Sequence, residues 1–127
     1  MLTPTEYERI PLDMTRSQHN TRKNRESVSK RLGKTARLIK ERDNHSCVYC
    51  GANHGPMHLD HVVARSMGGP DTAGNLVVAC ASCNCVKRNL TVRQFFAFLR
   101  IAHGWTAQQT KSCGRHLRRQ LAKKLKA

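Results

Sequence analysis

Two pairs of cysteines constrain this chain more than any other feature. Cys47 and Cys50 form one C-x-x-C pair, and Cys80 and Cys83 form a second, with 29 residues between the pairs. Each pair can point two thiolates at one centre, and a tetrahedral Zn²⁺ site takes four ligands. A closed four-cysteine site leaves no position for water or substrate, so it stabilises the fold and takes no part in catalysis. The spacing predicts a structural zinc; a redox motif and buried small residues are the alternatives.

Length and composition explain why such a chain needs a metal. With 127 residues, 39% of them hydrophobic and 5% aromatic, we expect one small domain with a limited core, a class that often depends on a bound metal. No apolar run reaches the roughly 20 residues of a membrane span, and the polar N-terminal segment does not resemble a signal peptide. We therefore expect a protein of the reducing cytoplasm with no membrane partner, where metal binding is favoured over disulfides.

The charge is unevenly distributed along the chain. The net charge is +15, but residues 41–85 hold two basic and four acidic side chains, whereas residues 86–127 hold eleven basic residues and no acidic one. A nearly neutral centre between two basic flanks suits a site held on a nucleic acid from both sides. A tail that only improves solubility is the alternative.

Turn signals and periodicity divide the chain into three parts. We expect residues 1–33 to be a basic, flexible arm, residues 34–90 to form the core, and residues 91–127 to be a helical basic extension. Gly114 is expected to weaken or interrupt the last helix. Within the core the predicted elements are a helix at 34–43, a strand at 57–63, a loop at 64–75, a strand at 76–80 and a helix from about Cys83.

Polar side chains fall where these predicted elements meet. Asp60 and His61 lie near the end of the first strand, and Asn84 lies near the start of the helix. A hairpin packed on a helix would bring these three residues together. Carboxylate and amide oxygens suit Mg²⁺ or Mn²⁺, and a neighbouring neutral histidine can activate water. The alternative is a surface strand whose polar residues face solvent.

Residues 42–88 resemble the HNH endonucleases, which have the ββα-metal fold. The matching stretches are "RDNHSCVYCG", "LDHVVARSMGGPDTAGNLVVACASCN" and "VKR", in that order and spacing. The resemblance implies a small α+β protein with a ββα-metal (HNH) core stapled by a four-cysteine zinc site, with flanking helices and a basic N-terminal arm.

The resemblance also implies roles for individual residues. Asp60 and Asn84 would hold a catalytic Mg²⁺ or Mn²⁺, His61 would be the general base, and Asn75 would brace the loop that aims it. Asn84 stands where many members of the family have a histidine, and an asparagine oxygen there favours Mg²⁺ or Mn²⁺ over Zn²⁺. His58 matches a residue that assists the site in a phage junction-resolving endonuclease; a plain polar strand position is the alternative.

Three basic residues are candidates for binding the nucleic acid: Lys87, Arg88 and Arg65. Lys87 and Arg88 follow Asn84 by one helical turn, and solvent exposure is the alternative for Arg65. The function that the resemblance implies is a metal-dependent endonuclease that hydrolyses phosphodiester bonds by a one-metal mechanism, acting on DNA in preference to RNA. A noncatalytic, zinc-stabilised nucleic-acid-binding module is the alternative. A family-level association adds a phage packaging terminase as a partner, and the expected setting is the cytoplasm of a bacterial host cell, with the protein encoded by a phage or by the host.

Overall fold

Two antiparallel strands lie at the centre of the protein, with helices on both of their faces. The structure is a computed structural model that describes residues 28–126. A short 3-10 turn at Arg65–Met67 lies in the loop between the strands. The elements of the described part are α1 (Val28–Leu32), α2 (Lys34–Arg42), β1 (Met57–His61), β2 (Leu76–Cys80), α3 (Ala81–Lys87), α4 (Val92–Ala102) and α5 (Ala107–Ala122).

The second strand is buried along its whole length because both faces of the sheet are covered. β2 pairs with β1 in a register that sets Asp60 opposite Val77 and His61 opposite Leu76. All five residues of "LVVAC" are buried, as expected for a strand packed on both faces. Val77 and Ala79 face the cysteine knuckles, α4 and α5, whereas Leu76 and Val78 pack with α1 and α2. The small sheet thus separates two hydrophobic clusters.

The outer edge of β2 is closed by polar contacts. The Val78 N–H donates to the Asp43 carboxylate at 3.0 Å, and the Val78 carbonyl accepts from the Val48 N–H at 2.9 Å. Arg42 forms an ion pair with Asp43 and donates to the Leu76 carbonyl at 2.6 Å. These contacts satisfy the unpaired backbone groups that an edge strand otherwise exposes.

The C-terminal helices belong to the same core as the cysteine knuckles. Phe95 of α4 meets the Tyr49 ring edge-on, with 5.1 Å between ring centroids, and Leu117 of α5 lies in the same buried cluster. Gln120 donates to the Asp43 carboxylate at 3.1 Å. Within the described residues, no helix has the length and apolar character needed to span a bilayer. The described residues 91–126 therefore contribute basic surface and also help to complete the core.

Several predicted boundaries move for identifiable reasons. β1 ends at His61 and not at residue 63, because the Val63 backbone binds the Asn75 side chain instead of continuing the strand. α3 begins at Ala81, earlier than the predicted start near Cys83, because the Cys80 thiol caps the helix by accepting from the Cys83 N–H. The predicted arm includes α1 at its C-terminal end, and its remainder, residues 1–27, lies outside the described residues.

Helix α5 runs through Gly114 without a break, which corrects the expected interruption. Gly114 is buried, and a Cβ there would lie 3.6 Å from the Phe96 ring. The glycine therefore lies where α5 approaches α4 closely.

Both α4 and α5 begin with a capping box that was predicted only in part. Thr91, predicted as an N-cap, pairs reciprocally with Gln94, and Thr106 caps α5 in the same way.

Candidate active site and zinc centre

The four cysteines of the two knuckles converge on one point. Their sulfur atoms all lie within 4.8 Å of one another, and the Cys50 and Cys80 sulfurs are 3.7 Å apart. A tetrahedral Zn²⁺ with Zn–S bonds of about 2.3 Å separates its ligands by about 3.8 Å. Each knuckle also folds back on itself: the Cys47 sulfur accepts from the Cys50 N–H, and the Cys80 sulfur from the Cys83 N–H. The donor set and its spacing fit zinc.

The thiols of this cluster influence each other strongly. A hydrogen bond with Cys83 is the main cause that lowers the pKa of Cys47 to about 4. The same hydrogen bond and burial raise the pKa of Cys83 far above its usual range, and burial raises the pKa of Cys50 to about 11. Four thiolates cannot be held this close together without a cation, because each charge opposes the ionisation of the next. A divalent metal bound by the four sulfur atoms would supply that positive charge.

The remaining cysteines lie outside the cluster. Cys113 is buried on α5 and its thiol donates to the Tyr49 carbonyl at 3.4 Å; burial raises its pKa to about 12. Cys85 is exposed, and its sulfur lies 3.5 Å from an Arg88 nitrogen. Among the His, Cys, Asp and Glu side chains of residues 28–126, Cys47, Cys50, Cys80 and Cys83 are the one group of three or more arranged to share an ion.

Asp60 is buried at the base of the predicted catalytic site. It is 4% exposed, and its Oδ2 accepts from the Tyr49 hydroxyl at 2.6 Å. The Lys87 ammonium lies 3.1 Å from the same oxygen. Burial raises the pKa of Asp60 above its usual value, while the Lys87 charge and the Tyr49 hydrogen bond oppose that rise. Two donors thus orient the carboxylate through a single oxygen.

Lys87 lies in the interior and not on the surface. Its side chain is completely buried and, besides the ion pair with Asp60, donates to the His61 carbonyl at 2.9 Å. The sequence prediction placed Lys87 against the nucleic acid, and this structure instead directs its ammonium to the end of β1. The reason is the packing of α3 across the sheet, which turns this face of the helix inward. In this arrangement Lys87 supports Asp60 and His61.

Asn84 lies on the same side of α3 as Lys87. The two residues are three positions apart, and side chains at that spacing are neighbours on a helix. Because Lys87 contacts Asp60, Asn84 lies one helical turn before the residue that joins α3 to the end of β1. Asn84 is half-buried. Asp60 at the end of β1 and Asn84 on α3 thus lie on two elements that contact each other.

His61 ends β1 and turns towards the loop. Its Nε2 lies 2.5 Å from the Asp71 carboxylate, and its side chain is 11% exposed. Successive side chains of a strand point to opposite faces, which is why His61 contacts the loop while Asp60 contacts α3. The His61 backbone is held by Lys87. The histidine is thus fixed at its carbonyl and at one ring nitrogen.

Asn75 holds the loop through three side-chain hydrogen bonds. Its Oδ1 accepts from the Val63 N–H at 2.8 Å, and its Nδ2 donates to the carbonyls of Val63 and Pro70, both at 3.0 Å. Gly69 passes so close to this strand end that a Cβ would lie 1.6 Å from the Val63 oxygen. Asn75 is 6% exposed. The amide therefore ties the start and the end of the loop together.

The other predicted residues lie at the surface or near it. His58 and Arg65 are exposed. Arg88 ends α3 with a φ of 44°, and its Nε donates to the Cys85 carbonyl at 2.6 Å. Within the described residues, the Arg88 Nη1 is a buried nitrogen without a hydrogen-bond partner. Its guanidinium is thus only partly satisfied by the protein.

Sequence reasoning did not find three residues that complete the site. Tyr49 lies inside the first knuckle and looks like a spacer between two cysteines, while Arg31 precedes the predicted core. Asp71 lies in a loop rich in turn-forming residues, where an aspartate is ordinary. A usable signal did exist for Asp71, because it is the one acidic residue between Asp60 and the end of the chain.

Comparison with protein-family models matches residues 47–89 to the family described as HNH endonuclease. The matched stretch runs from the first residue of the four-cysteine cluster to the residue after Arg88, and it includes β1, β2 and α3. The match and the cysteine cluster confirm the predicted resemblance and the ββα-metal core. They support a nuclease-type or nucleic-acid-related function. A search of curated proteins found no significant match.

Proposed function

We propose that this chain, with its HNH segment at residues 47–89, is a metal-dependent endonuclease that hydrolyses phosphodiester bonds in DNA. One observation supports the proposal: Asp60 and His61 are consecutive at the end of β1, Lys87 of α3 contacts Asp60, and Asn84 precedes Lys87 by one helical turn, all inside the matched segment. The cysteine cluster and the basic charge alone would suit a binding module equally well. The oxygen donors beside a histidine are the feature that such a module does not need.

Asp60 and Asn84 would hold the catalytic divalent ion. A carboxylate and an amide oxygen are hard donors, and Mg²⁺ is often bound by only one or two protein oxygens, with water and phosphate as its other ligands. The two described contacts of Asp60 fall on Oδ2, so Oδ1 is the oxygen we assign to the ion. When bound, Mg²⁺ or Mn²⁺ supplies positive charge for the phosphate and for the departing 3′-oxygen.

His61 would accept the proton of the attacking water. A neutral imidazole has one nitrogen with a free lone pair, which suits a general base near neutral pH. Lys87 and Asn75 limit the movement of His61, the first by binding its carbonyl and the second by holding the loop beside it. His58 is exposed on the same strand and is proposed only to assist.

Arg88 and Arg65 would contact the phosphates. Arg88 follows Asn84 by about one turn of α3, and within the described residues its Nη1 has no hydrogen-bond partner, so we assign this cation to a phosphate oxygen. Arg65 is exposed at the start of the loop that holds Asp71. The net charge of +15 adds attraction for the polyanion that does not depend on sequence.

DNA is proposed as the substrate, with RNA as the second possibility that the test below separates. A noncatalytic zinc module that binds nucleic acid is the competing function, since it accounts for the cysteines and the charge. Association with a phage packaging terminase and a cytoplasmic setting in a bacterial cell remain predictions.

The proposal is tested by incubating zinc-loaded protein with supercoiled plasmid and, separately, with single-stranded RNA. Each reaction contains Mg²⁺, Mn²⁺, no added metal, or EDTA, and zinc content is measured afterwards so that loss of the structural ion is not mistaken for loss of the catalytic one. We expect plasmid cleavage that requires Mg²⁺ or Mn²⁺ and is absent from Asp60→Ala. Tight binding without metal-stimulated cleavage of either polymer would instead support the binding module.

A further inference from the structure

Asp71 connects the predicted general base to a distant helix. One carboxylate oxygen lies 2.5 Å from His61 Nε2, and the other lies 2.8 Å from the Arg31 guanidinium of α1. The Asp71 side chain is 30% exposed, so it lies at the rim of the site. Each oxygen of this carboxylate thus faces a different nitrogen group.

The contact between Asp71 and His61 determines which nitrogen of His61 can act as a base. The hydrogen bond from His61 is the main cause that holds the pKa of Asp71 below its usual value, and the charges of Arg31 and Arg65 lower it further. An ionised carboxylate can only accept hydrogen bonds. The proton must therefore lie on Nε2, and the lone pair of the neutral ring must lie on Nδ1.

The loop is built to keep Asp71 in this place. Asn75 holds both residues that flank it, since its Nδ2 donates to the Pro70 carbonyl and its backbone N–H donates to the Thr72 carbonyl at 2.9 Å. The Asn75 side-chain amide also binds both the N–H and the carbonyl of Val63, two residues after His61. A single buried side chain therefore fixes the segment that carries the carboxylate and the segment that follows the histidine.

We propose that Asp71 is a positioning residue for phosphodiester cleavage: it selects the His61 tautomer with a free Nδ1 and holds the ring, and Arg31 holds Asp71 in turn. The inference rests on the proposed function, because it assumes that His61 is the base. It assigns the loop a part in the reaction beyond connecting two strands. It also makes α1, which precedes the matched HNH segment, a contributor to the site.

The first test is spectroscopic and needs no substrate. Nitrogen-15 chemical shifts of histidine distinguish a protonated ring nitrogen from one with a free lone pair. In zinc-loaded protein at slightly alkaline pH, we expect His61 to be protonated at Nε2. Asp71→Asn keeps the shape of the loop residue, but an amide can present either its oxygen or its NH2 group to the ring. We expect this variant and Asp71→Ala to show a mixture of tautomers. Glu41→Ala removes the same charge from an exposed position on α2 and should change nothing.

The second test is kinetic. Both Asp71 variants should lose roughly 10–100-fold in kcat, by analogy with the range found when the hydrogen-bond partner of a metal-ligating histidine is removed. KM and DNA affinity should stay near the wild-type values, because Asp71 is not assigned a contact to DNA. Arg31→Ala should lower kcat in the same direction by a smaller factor, and it provides a second route if an Asp71 variant folds poorly.

The outcomes separate this inference from the proposed function. Wild-type kcat in the Asp71 variants, or a His61 tautomer unchanged by them, would overturn the positioning role while the nuclease function stands. Absence of cleavage by the wild-type protein would overturn both. A mixed tautomer together with a selective loss of kcat is the result the proposal requires.

Discussion

The Lys87 ammonium lies 3.1 Å from the Asp60 carboxylate in a place where both side chains are almost fully buried, 0% and 5% exposed. The lysine also binds the His61 carbonyl, so one cation contacts both residues of the proposed catalytic pair. A buried carboxylate without such a partner would be strongly unfavourable. We interpret Lys87 as the residue that allows a charged Asp60 to be held inside this small core.

The first prediction concerns this ion pair. Lys87→Met should lower the free energy of unfolding by about 3–5 kcal/mol, because it leaves a buried carboxylate without its countercharge. Adding Asp60→Asn to Lys87→Met should recover much of the loss, since the remaining charge is removed as well. Urea denaturation of zinc-loaded protein measures both effects, with Lys124→Met at an exposed position as the control. If Lys87→Met alone were as stable as Lys124→Met, that result would contradict the interpretation.

The second prediction concerns the six thiols. In zinc-loaded protein the four clustered cysteines are expected to bind the metal, and burial raises the pKa of Cys113 to about 12. Iodoacetamide reacts with thiolates, so at about pH 8 it should label only the exposed Cys85 rapidly. After chelation in denaturant all six should react. Mass spectrometry counts the labels. Rapid labelling of the four clustered thiols in folded protein would refute the zinc centre, and so would a protein that folds without bound zinc. Cys80→Ser should abolish stoichiometric zinc binding.

The third prediction concerns the close approach of Gly69 to the end of β1. A Cβ at this position would lie 1.6 Å from the Val63 oxygen and 2.8 Å from the Asn75 amide nitrogen, so Gly69→Ala must displace the loop. We expect a loss of stability of about 1–3 kcal/mol, as for other overpacked sites, and slower cleavage because His61 loses its support. Gly74→Ala in the same loop meets no atom within 4 Å and serves as the matched control. If Gly69→Ala and Gly74→Ala were equally stable and cleaved DNA at equal rates, the close approach of Gly69 to the end of β1 would be contradicted.

The fourth prediction concerns the nucleic-acid contacts. If Arg88 and Arg65 each neutralise one phosphate, either alanine substitution should make the slope of log affinity against log salt less negative by about 0.9 on duplex DNA. Arg37→Ala removes the same charge from an exposed position on α2 and should change the slope less. Titrations at several salt concentrations measure these slopes. A similar change for all three variants would mean that only overall charge matters.

Much of the fold follows from patterns that act over short distances. The unbroken apolar run "LVVAC" has the bounds of β2, Thr91 caps α4 as its spacing indicates, and the cysteine pairs predict their own convergence. Each of these depends on neighbours in sequence or on a ligand preference that the residue types already carry. Such features can therefore be predicted without knowing how the helices pack.

The inner contacts of the site could not be predicted in this way. Lys87 looked like a surface residue because lysine usually is one, and only the crossing of α3 over β1 shows that it points inward. Asp71 and Arg31 are 40 residues apart, and no local pattern links them. Their meeting depends on how the loop and α1 pack, which is a property of the tertiary structure.

The fifth prediction tests the central claim, that His61 acts as the general base of a nuclease. His61→Ala should retain zinc, fold and DNA affinity, but should cleave plasmid roughly 10²–10⁴-fold more slowly in Mg²⁺ or Mn²⁺. His54→Ala, at an exposed histidine before β1, should cleave like the wild type. The decisive measurement is the single-turnover cleavage rate of the three proteins at equal DNA occupancy. A selective loss in His61→Ala is the predicted result, and equal rates in all three would contradict it.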